Sequence, residues 1–578
     1  MLARRRWRGW PLGLLLLASV ASPTSLLQAN VAVVPRSAAA GATNRTGAAL
    51  AVGSESKVMV VGSGTDLDGV VDVYRRAASG TDQWTLLKTL DGSEATLPNG
   101  VAASELREFG AAVAIGGRPA KWILVGAPGS RRVFGSTPTA TARVDVGRAL
   151  VYSRDPISGS VTYAVTLEPG TSSFGLTALQ RFGTSVAASS DDDCTFIAIG
   201  NPGYYVGQGA VQLFWRSALS DQWGKSNTLE PEGDNIEASM RFGSVLALGA
   251  WGQQTAYLGV GVPRADALQR DYVAGPITKR VRGAGRVFVY RFEGVIVRLD
   301  EILERPLDVT GAGIPHARFG AAVSFGQFDS KIIVVGAPGA QRACVYKKTE
   351  TRAGWTIRPA LWTTTRDTCL RANDDGGCSS GQRCNTSYGA AVAIGSSGET
   401  LTDIASRYQR GSDGNVILIG APHANVGDMW SAGRIYPYRF TAGTSASDLQ
   451  QYSALRAIAA AASPGASFGS SLAIAPYGPS DGRAWVLVGA PTRAGDGGSV
   501  VAYAVDGSGA NWDTGSPTTE PTASPTWRPS AAPTVAPTVA PSTSPSTAPT
   551  LAPTASPSTV PTTGPTITSL SPAQVCSL

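Results

Sequence analysis

Residues 318–346 read RFGAAVSFGQFDSKIIVVGAPGAQRACVY. A Phe-Gly pair opens a short apolar run. A polar turn follows, then a second apolar run closing on Gly-Ala-Pro, another turn, and a third run ending in Tyr346. Runs of about four to eight residues, rich in Val, Ile and aromatics and bounded by Gly, Pro or Asp, are strand chemistry and not helix chemistry.

The cassette returns along the chain, and repetition of this kind outranks any single motif in deciding a fold. Phe-Gly stands at Phe109-Gly110, Phe182-Gly183, Phe242-Gly243, Phe319-Gly320 and Phe468-Gly469, with Tyr388-Gly389 as a variant and Thr46-Gly47 as a worn first copy. Gly-Ala-Pro stands at 126–128, 336–338, 420–422 and 489–491, with Gly200-Asn201-Pro202, Gly261-Val262-Pro263 and Gly62-Ser63-Gly64 as degenerate copies. The third landmark is a Gly-led run closing on an aromatic, as in GRALVY (147–152), GAVQLF (209–214), GRVFVY (285–290), GRIYPY (433–438), GSVVAY (498–503) and GVVDVY (69–74), trimmed to ACVY (343–346) in the fifth copy. A fourth run opened by Trp follows at WTLLKTL (84–90), WGKSNTL (223–229) and WTIRPAL (355–361). Seven units of four short antiparallel strands predict an all-β, seven-bladed β-propeller, whose closed ring leaves only short edges. The landmark residues read as core packing: Phe fills the wedge between blades, and the glycines serve turns or close backbone approach.

Phe-Gly followed by Gly-Ala-Pro resembles the FG-GAP repeat, as in the propeller of integrin α subunits, over about residues 45–505. The resemblance implies an extracellular binding propeller. It also implies that the loop between strands two and three shares one face with the loop between blades. Some copies in that family hold Ca²⁺ on a DxDxDG-type loop between the first two strands, where alternate side chains converge on one cation. The corresponding loops here, among them GGRPAKW (116–122), SSDDDCT (189–195), GAWGQQT (249–255), GQFDSK (326–331) and PYGPSDGR (476–483), lack that pattern. Asp191, Asp192 and Asp193 are consecutive and cannot all face one ion. No cofactor is therefore expected. Asp66, Asp68 and Asp72 have better spacing but follow the second landmark, and they are the residual candidates for a cation.

The first 21 residues place four arginines ahead of a short apolar run and small residues at Ser19 and Ala21, the pattern of a secretory signal peptide. The run is too short to span a bilayer, no later segment is long and apolar enough, and no apolar end follows the tail as a GPI signal requires. An integrin subunit would carry such a span and further ectodomains, so the chain is not expected to be one. The chain holds 49 basic and 42 acidic residues, and loss of Arg4, Arg5, Arg6 and Arg8 leaves 45 basic, so its basicity is no argument for nucleic acid.

The propeller is expected over 31–512. The seventh cassette lacks a convincing fourth strand. Val31 to Val34 would supply it from the other end of the chain, with Trp512 opening a native strand as the alternative. A Cys-rich insert (366–385) separates the fifth and sixth units. Spacing alone leaves three pairings among Cys344, Cys369, Cys378 and Cys384, and Cys344–Cys369 with Cys378–Cys384 is the expected one in an oxidising compartment. Asn44 and Asn385 open sequons for N-glycosylation. Residues 516–572 carry Pro at every fourth position from 517 to 565, filled with Thr, Ser, Ala and Val. This composition forms an extended stalk suited to cell-wall or matrix association.

Binding residues of propellers concentrate on loops. The candidates are Arg131 and Arg132 in the second unit, Tyr204 and Tyr205 in the third, Arg270 and Tyr272 in the fourth, and His423 and Trp430 in the sixth. Arginine with exposed aromatics suits protein hot spots and sugar stacking. Gly465-Ala-Ser-Phe-Gly469 matches GxSxG, but it is a Phe-Gly landmark outside the strand–turn–helix context that a nucleophile elbow needs. The expected role is a secreted binding or adhesion module for an extracellular glycan or matrix protein, and not an enzyme. A carbohydrate-active propeller or a structural matrix protein without a discrete ligand are the alternatives.

Overall fold

The computed structural model describes residues 31–33, 45–53, 57–64, 69–76, 84–95, 106–134, 142–169, 179–189, 196–217, 222–231, 237, 239–249, 256–269, 279–294, 296–303, 314–326, 332–349, 361–363, 369–372, 385–396, 415–440, 449–451, 455–456, 463–475, 483–492 and 497–506. All of these lie in the first of two units, Met1–Ser516; the second is Pro517–Leu578. The signal segment, the stalk, Asn44, Asp66, Asp68, Arg270, Tyr272, Cys378, Cys384 and Trp512 lie outside the described residues.

Each cassette forms one antiparallel sheet, and seven sheets form a β-propeller. Blade 1 runs Ala49–Val52, Val58–Gly62, Val71–Arg76 and Trp84–Leu90. Blade 2 runs Ala112–Gly116, Trp122–Ala127, Arg148–Arg154 and Val161–Leu167. Blade 3 is Val186–Ala188, Phe196–Asn201, Ala210–Arg216 and Trp223–Leu229, and blade 4 is Val245–Leu248, Ala256–Val262, Arg286–Glu293 and Ile296–Leu303. Blades 5, 6 and 7 begin at Ala322–Phe325, Ala391–Ser396 and Ser471–Ala475. The first strands of successive blades pack side by side around the whole circle, and that of blade 7 meets that of blade 1. The hydrophobic core accordingly lies between blades: one cluster joins Phe196, Leu213, Phe242, Leu258 and Phe288 of blades 3 and 4.

The ring closes with a strand from the start of the chain. Val31–Val33 pairs antiparallel with the third strand of blade 7, Ser499–Asp506, in the register Val31↔Ala502, Ala32↔Val501 and Val33↔Val500. Blade 5 departs from expectation at its outer edge. Residues 355–360 lie outside the described residues, and its third strand, Arg342–Thr349, pairs with Leu361–Thr363 at one end and with Cys369–Leu370 at the other. The second pairing sets Cys344 opposite Cys369, and the two form a disulfide.

The landmarks fasten blade to blade. A β-carbon on Gly126 would lie 2.0 Å from the carbonyl oxygen of Gly183 in the next blade, so only glycine fits. The same contact recurs at every interface, ending at Gly489 against Gly47 (2.1 Å). The Gly183 N–H in turn donates to the Gly200 carbonyl of its own blade at 2.9 Å. The Phe-Gly aromatic packs on its own third strand, as Phe242 does on Phe288 with centroids 5.2 Å apart. The Tyr388 variant is matched by Tyr438, whose hydroxyl lies 2.6 Å from its own and satisfies the buried oxygen. Outer-strand tryptophans reach the previous blade: Trp84 meets Trp485 and Trp223 meets Trp122 edge-on, both at 5.7 Å, with Arg76 and Arg216 over the respective inner rings.

Candidate functional site

The residue ahead of each Phe-Gly pair sets the geometry of one propeller face. Glu108, Arg181, Arg241, Arg318, Ser387 and Ser467 share this position, and all have φ between 54° and 61°. A left-handed backbone at a non-glycine residue costs energy, which the flanking Phe and Gly contacts hold in place. Arg45 occupies the equivalent place in blade 1.

Backbone hydrogen bonds join these segments to the loops between strands two and three. Within a blade, Gly203 N–H donates to Gln180 O (2.8 Å), Gly339 to Ala317 O (3.1 Å) and His423 to Thr386 O (3.1 Å). Onward to the next blade, Arg241 N–H donates to Gly207 O (2.9 Å), Arg318 to Gly283 O (3.1 Å) and Ser467 to Ser431 O (3.0 Å). The two kinds of loop therefore form one interlocked face.

Exposed apolar groups stand on it. Residues Tyr204–Gly207 form a tight turn after Gly200-Asn201-Pro202, pinned by Gly209 N–H on Tyr204 O at 2.9 Å. Tyr205 and Val206 at its tip have φ of 45° and 56° and are 46% and 75% exposed. Leu179, beside the turn, is 61% exposed. Tyr204 is more sheltered. Burial first, then the charge of Glu230 and a hydrogen bond to it, raise its pKa. Across the face, Trp430 is 63% exposed, and its carbonyl accepts from Gly465 N–H at 2.8 Å.

The charged candidates divide. Arg131 lies in a side hairpin, Arg131–Phe134 with Ala142–Asp145, where its Nε donates to Asp145 at 3.0 Å. Its carbonyl accepts from the buried Arg148, so this arginine braces its own hairpin. Arg132 lies in the same strand. His423 is exposed, with Nδ1 2.9 Å from Ser387 Oγ. Among the described residues no carboxylate bonds its imidazole. Exposed Asn385, two positions before Ser387, accepts from Gln341 Nε2 at 2.7 Å. Asp72 is no loop residue: it is buried in the third strand of blade 1 and accepts from Thr89 Oγ1 at 2.6 Å. Among the described residues no group of three His, Cys, Asp or Glu is placed to hold a metal, and no helix is long and apolar enough to cross a membrane.

Sequence reasoning missed the arginines ahead of Phe-Gly. The signal was visible in QRFG, MRFG and ARFG, and in NRTG of the first cassette. Arg264 follows Gly261-Val262-Pro263 in the loop after the second strand of blade 4. Desolvation by burial comes first, and the charges of Arg264 and Arg181 next, in lowering the Arg241 pKa. Arg181 is paired with Glu108 at 2.6 Å.

No protein-family model matches the chain, and no curated protein matches it in sequence. Among solved structures, it is similar to Saccharomyces cerevisiae Sqt1, at 9% identity over 82% of this chain and 97% of that one, with a TM-score of 0.38. It is similar to a Bacteroides uniformis protein provisionally named a 6-phosphogluconolactonase, at 10% identity over 70% and 83%, with a TM-score of 0.38. A Lactobacillus plantarum protein matches at 11% identity over 70% and 84%, with a TM-score of 0.37. Likenesses of this size lend this chain no activity and no partner.

Proposed function

We propose that this protein is a secreted binding module of the FG-GAP type. Its loop face takes up an extracellular glycan or matrix protein, and its Pro-rich tail serves as a stalk. The observation that carries the reading is the exposure of Tyr205, Val206, Leu179 and Trp430 on loops held by backbone hydrogen bonds, while the aromatics that build the blades are buried. Aromatic anchors on a fixed scaffold are the composition of recognition surfaces. The contact of each second-strand glycine with the next Phe-Gly glycine supports the repeat type. The N-terminal segment, the sequons and the Cys344–Cys369 bridge support a secretory route.

The test is a screen of the full secreted chain against glycan arrays and matrix proteins. A saturable ligand lost on Trp430→Ala or Tyr205→Asn, with the melting temperature unchanged, supports the module. Turnover of a polysaccharide that survives both substitutions would replace it with the carbohydrate-active reading. Retention in a matrix through the tail, with no saturable ligand, would replace it with the structural one.

A further inference from the structure

Building on the loop-face reading, we propose that the blade 3–blade 4 sector is a subsite for an acidic polysaccharide, one carrying sulfate or uronate groups. Arg181 and Arg241 hold the same left-handed position one blade apart. Arg264 follows Gly261-Val262-Pro263 as Gly203 follows Gly200-Asn201-Pro202, and the Gly203 N–H reaches the Gln180 carbonyl next to Arg181, so the repeat sets Arg264 beside the segment that carries Arg241; the lowered Arg241 pKa agrees with that placement. Arg181 is neutralised by Glu108, whereas Arg241 and Arg264 are exposed and form no ion pair among the described residues. The nearby carboxylate of Asp266 accepts from Gly283 N–H at 2.8 Å, which fixes it to the backbone of its own loop. Two exposed guanidiniums in neighbouring loops, without an ion pair among the described residues, suit a ligand with closely spaced anionic groups, each of which a planar fork binds by two hydrogen bonds.

The rest of the sector chooses sugar over a peptide or nucleic acid. The Tyr204–Gly207 turn is tied to Arg241 through the Arg241 N–H on Gly207 O, so the exposed Tyr205 belongs to the same loop cluster as Arg241. An exposed aromatic in a loop cluster that carries forked cations suits a pyranose bearing an anionic substituent. Nucleic acid demands a broad basic stripe, whereas two exposed arginines form a small focus suited to one or two anionic groups.

The experiment measures binding of the full chain to immobilised dextran sulfate and alginate, with neutral dextran and single-stranded DNA as comparisons, from low to high salt. Saturable binding to one of the polyanionic glycans, absent on neutral dextran and weakened by salt, is expected. R241E/R264E weakens it by about tenfold or more, and Tyr205→Asn, which suits the left-handed backbone, weakens it at unchanged melting temperature. Arg298→Glu, exposed on the outer strand of blade 4, leaves it intact. Equal binding of DNA, equal loss in Arg298→Glu, or indifference to R241E/R264E overturns the proposal. Its failure leaves the loop-face reading standing if Trp430→Ala still abolishes another ligand, and the two fall together if it does not.

Discussion

The carbonyl oxygen of Gly183 occupies the space a β-carbon on Gly126 would need, 2.0 Å from it, and this contact between neighbouring blades is why position 126 carries glycine; Gly183 is glycine because its φ is 89° and a β-carbon there would lie 2.3 Å from the Arg148 carbonyl oxygen. Gly126→Ala pushes one blade off the next and is expected to cost about 3 kcal/mol. Gly224, on the outer strand of blade 3, has open space around its Cα. Gly224→Ala is therefore expected to be neutral or to stabilise by about 0.5 kcal/mol. Denaturant melts of the two variants check the contrast. Equal effects would remove the contact as the reason for the glycine.

Ring closure rests on Val31–Val33. A secreted chain starting at residue 34 leaves Ser499–Asp506 as an open edge. Such an edge recruits other chains, so the truncated protein should melt several degrees lower and self-associate. Light scattering and a thermal melt read both, and an unchanged monomer would refute the closure.

Cys344 and Cys369 face each other on paired strands, 25 residues apart in sequence. By the chain-entropy relation a loop of this length contributes about 3 kcal/mol. The double substitution to Ala is expected to lower stability by that order. Peptide mapping without reductant should recover a Cys344–Cys369 fragment, and recovery of another partner for Cys344 would contradict the register.

The hydroxyls of Tyr152 and Tyr503 are buried and have no hydrogen-bond partner among the described residues. Burial is the first cause raising both pKa values well above the usual tyrosine range. The folded state therefore holds these protons more tightly than the unfolded chain. Their stabilising effect is complete below the ordinary tyrosine pKa, near 10, and fades as pH rises from there toward the folded-state pKa. Tyr503→Phe is expected to be neutral or to stabilise by about 1 kcal/mol at pH 7, and to flatten the alkaline loss of stability. A steeper alkaline loss would count against it.

Val206 is a β-branched residue at a left-handed backbone position, exposed at the tip of its turn. Val206→Gly should raise stability by about 1 kcal/mol by removing that strain, while weakening whatever the loop face binds. A thermal melt alongside the binding screen separates the two effects.

Much of this was legible along the chain. The Phe-Gly, Gly-Ala-Pro and Gly-led aromatic landmarks are local and recur, so they marked the inner three strands of every blade. Strand chemistry is a property of neighbouring residues, and it needed no fold to be read. The outer edges of blades 5 and 6 were less legible, because each third strand is paired there by two separate short strands. Arg131 is a binding candidate by composition, and only the tertiary structure sets it opposite Asp145 in a side hairpin.

The sequence by itself determined the number of blades and the glycines that let them touch, since both follow from a pattern repeated within each cassette. Tertiary structure alone decided which distant residues meet: Val33 with Val500, Ser387 with His423, and Glu108 with Arg181. The physical reason is ring geometry. A loop's partners are set by the blades on either side of it, and side chains far apart in the chain share a surface only after the circle has closed.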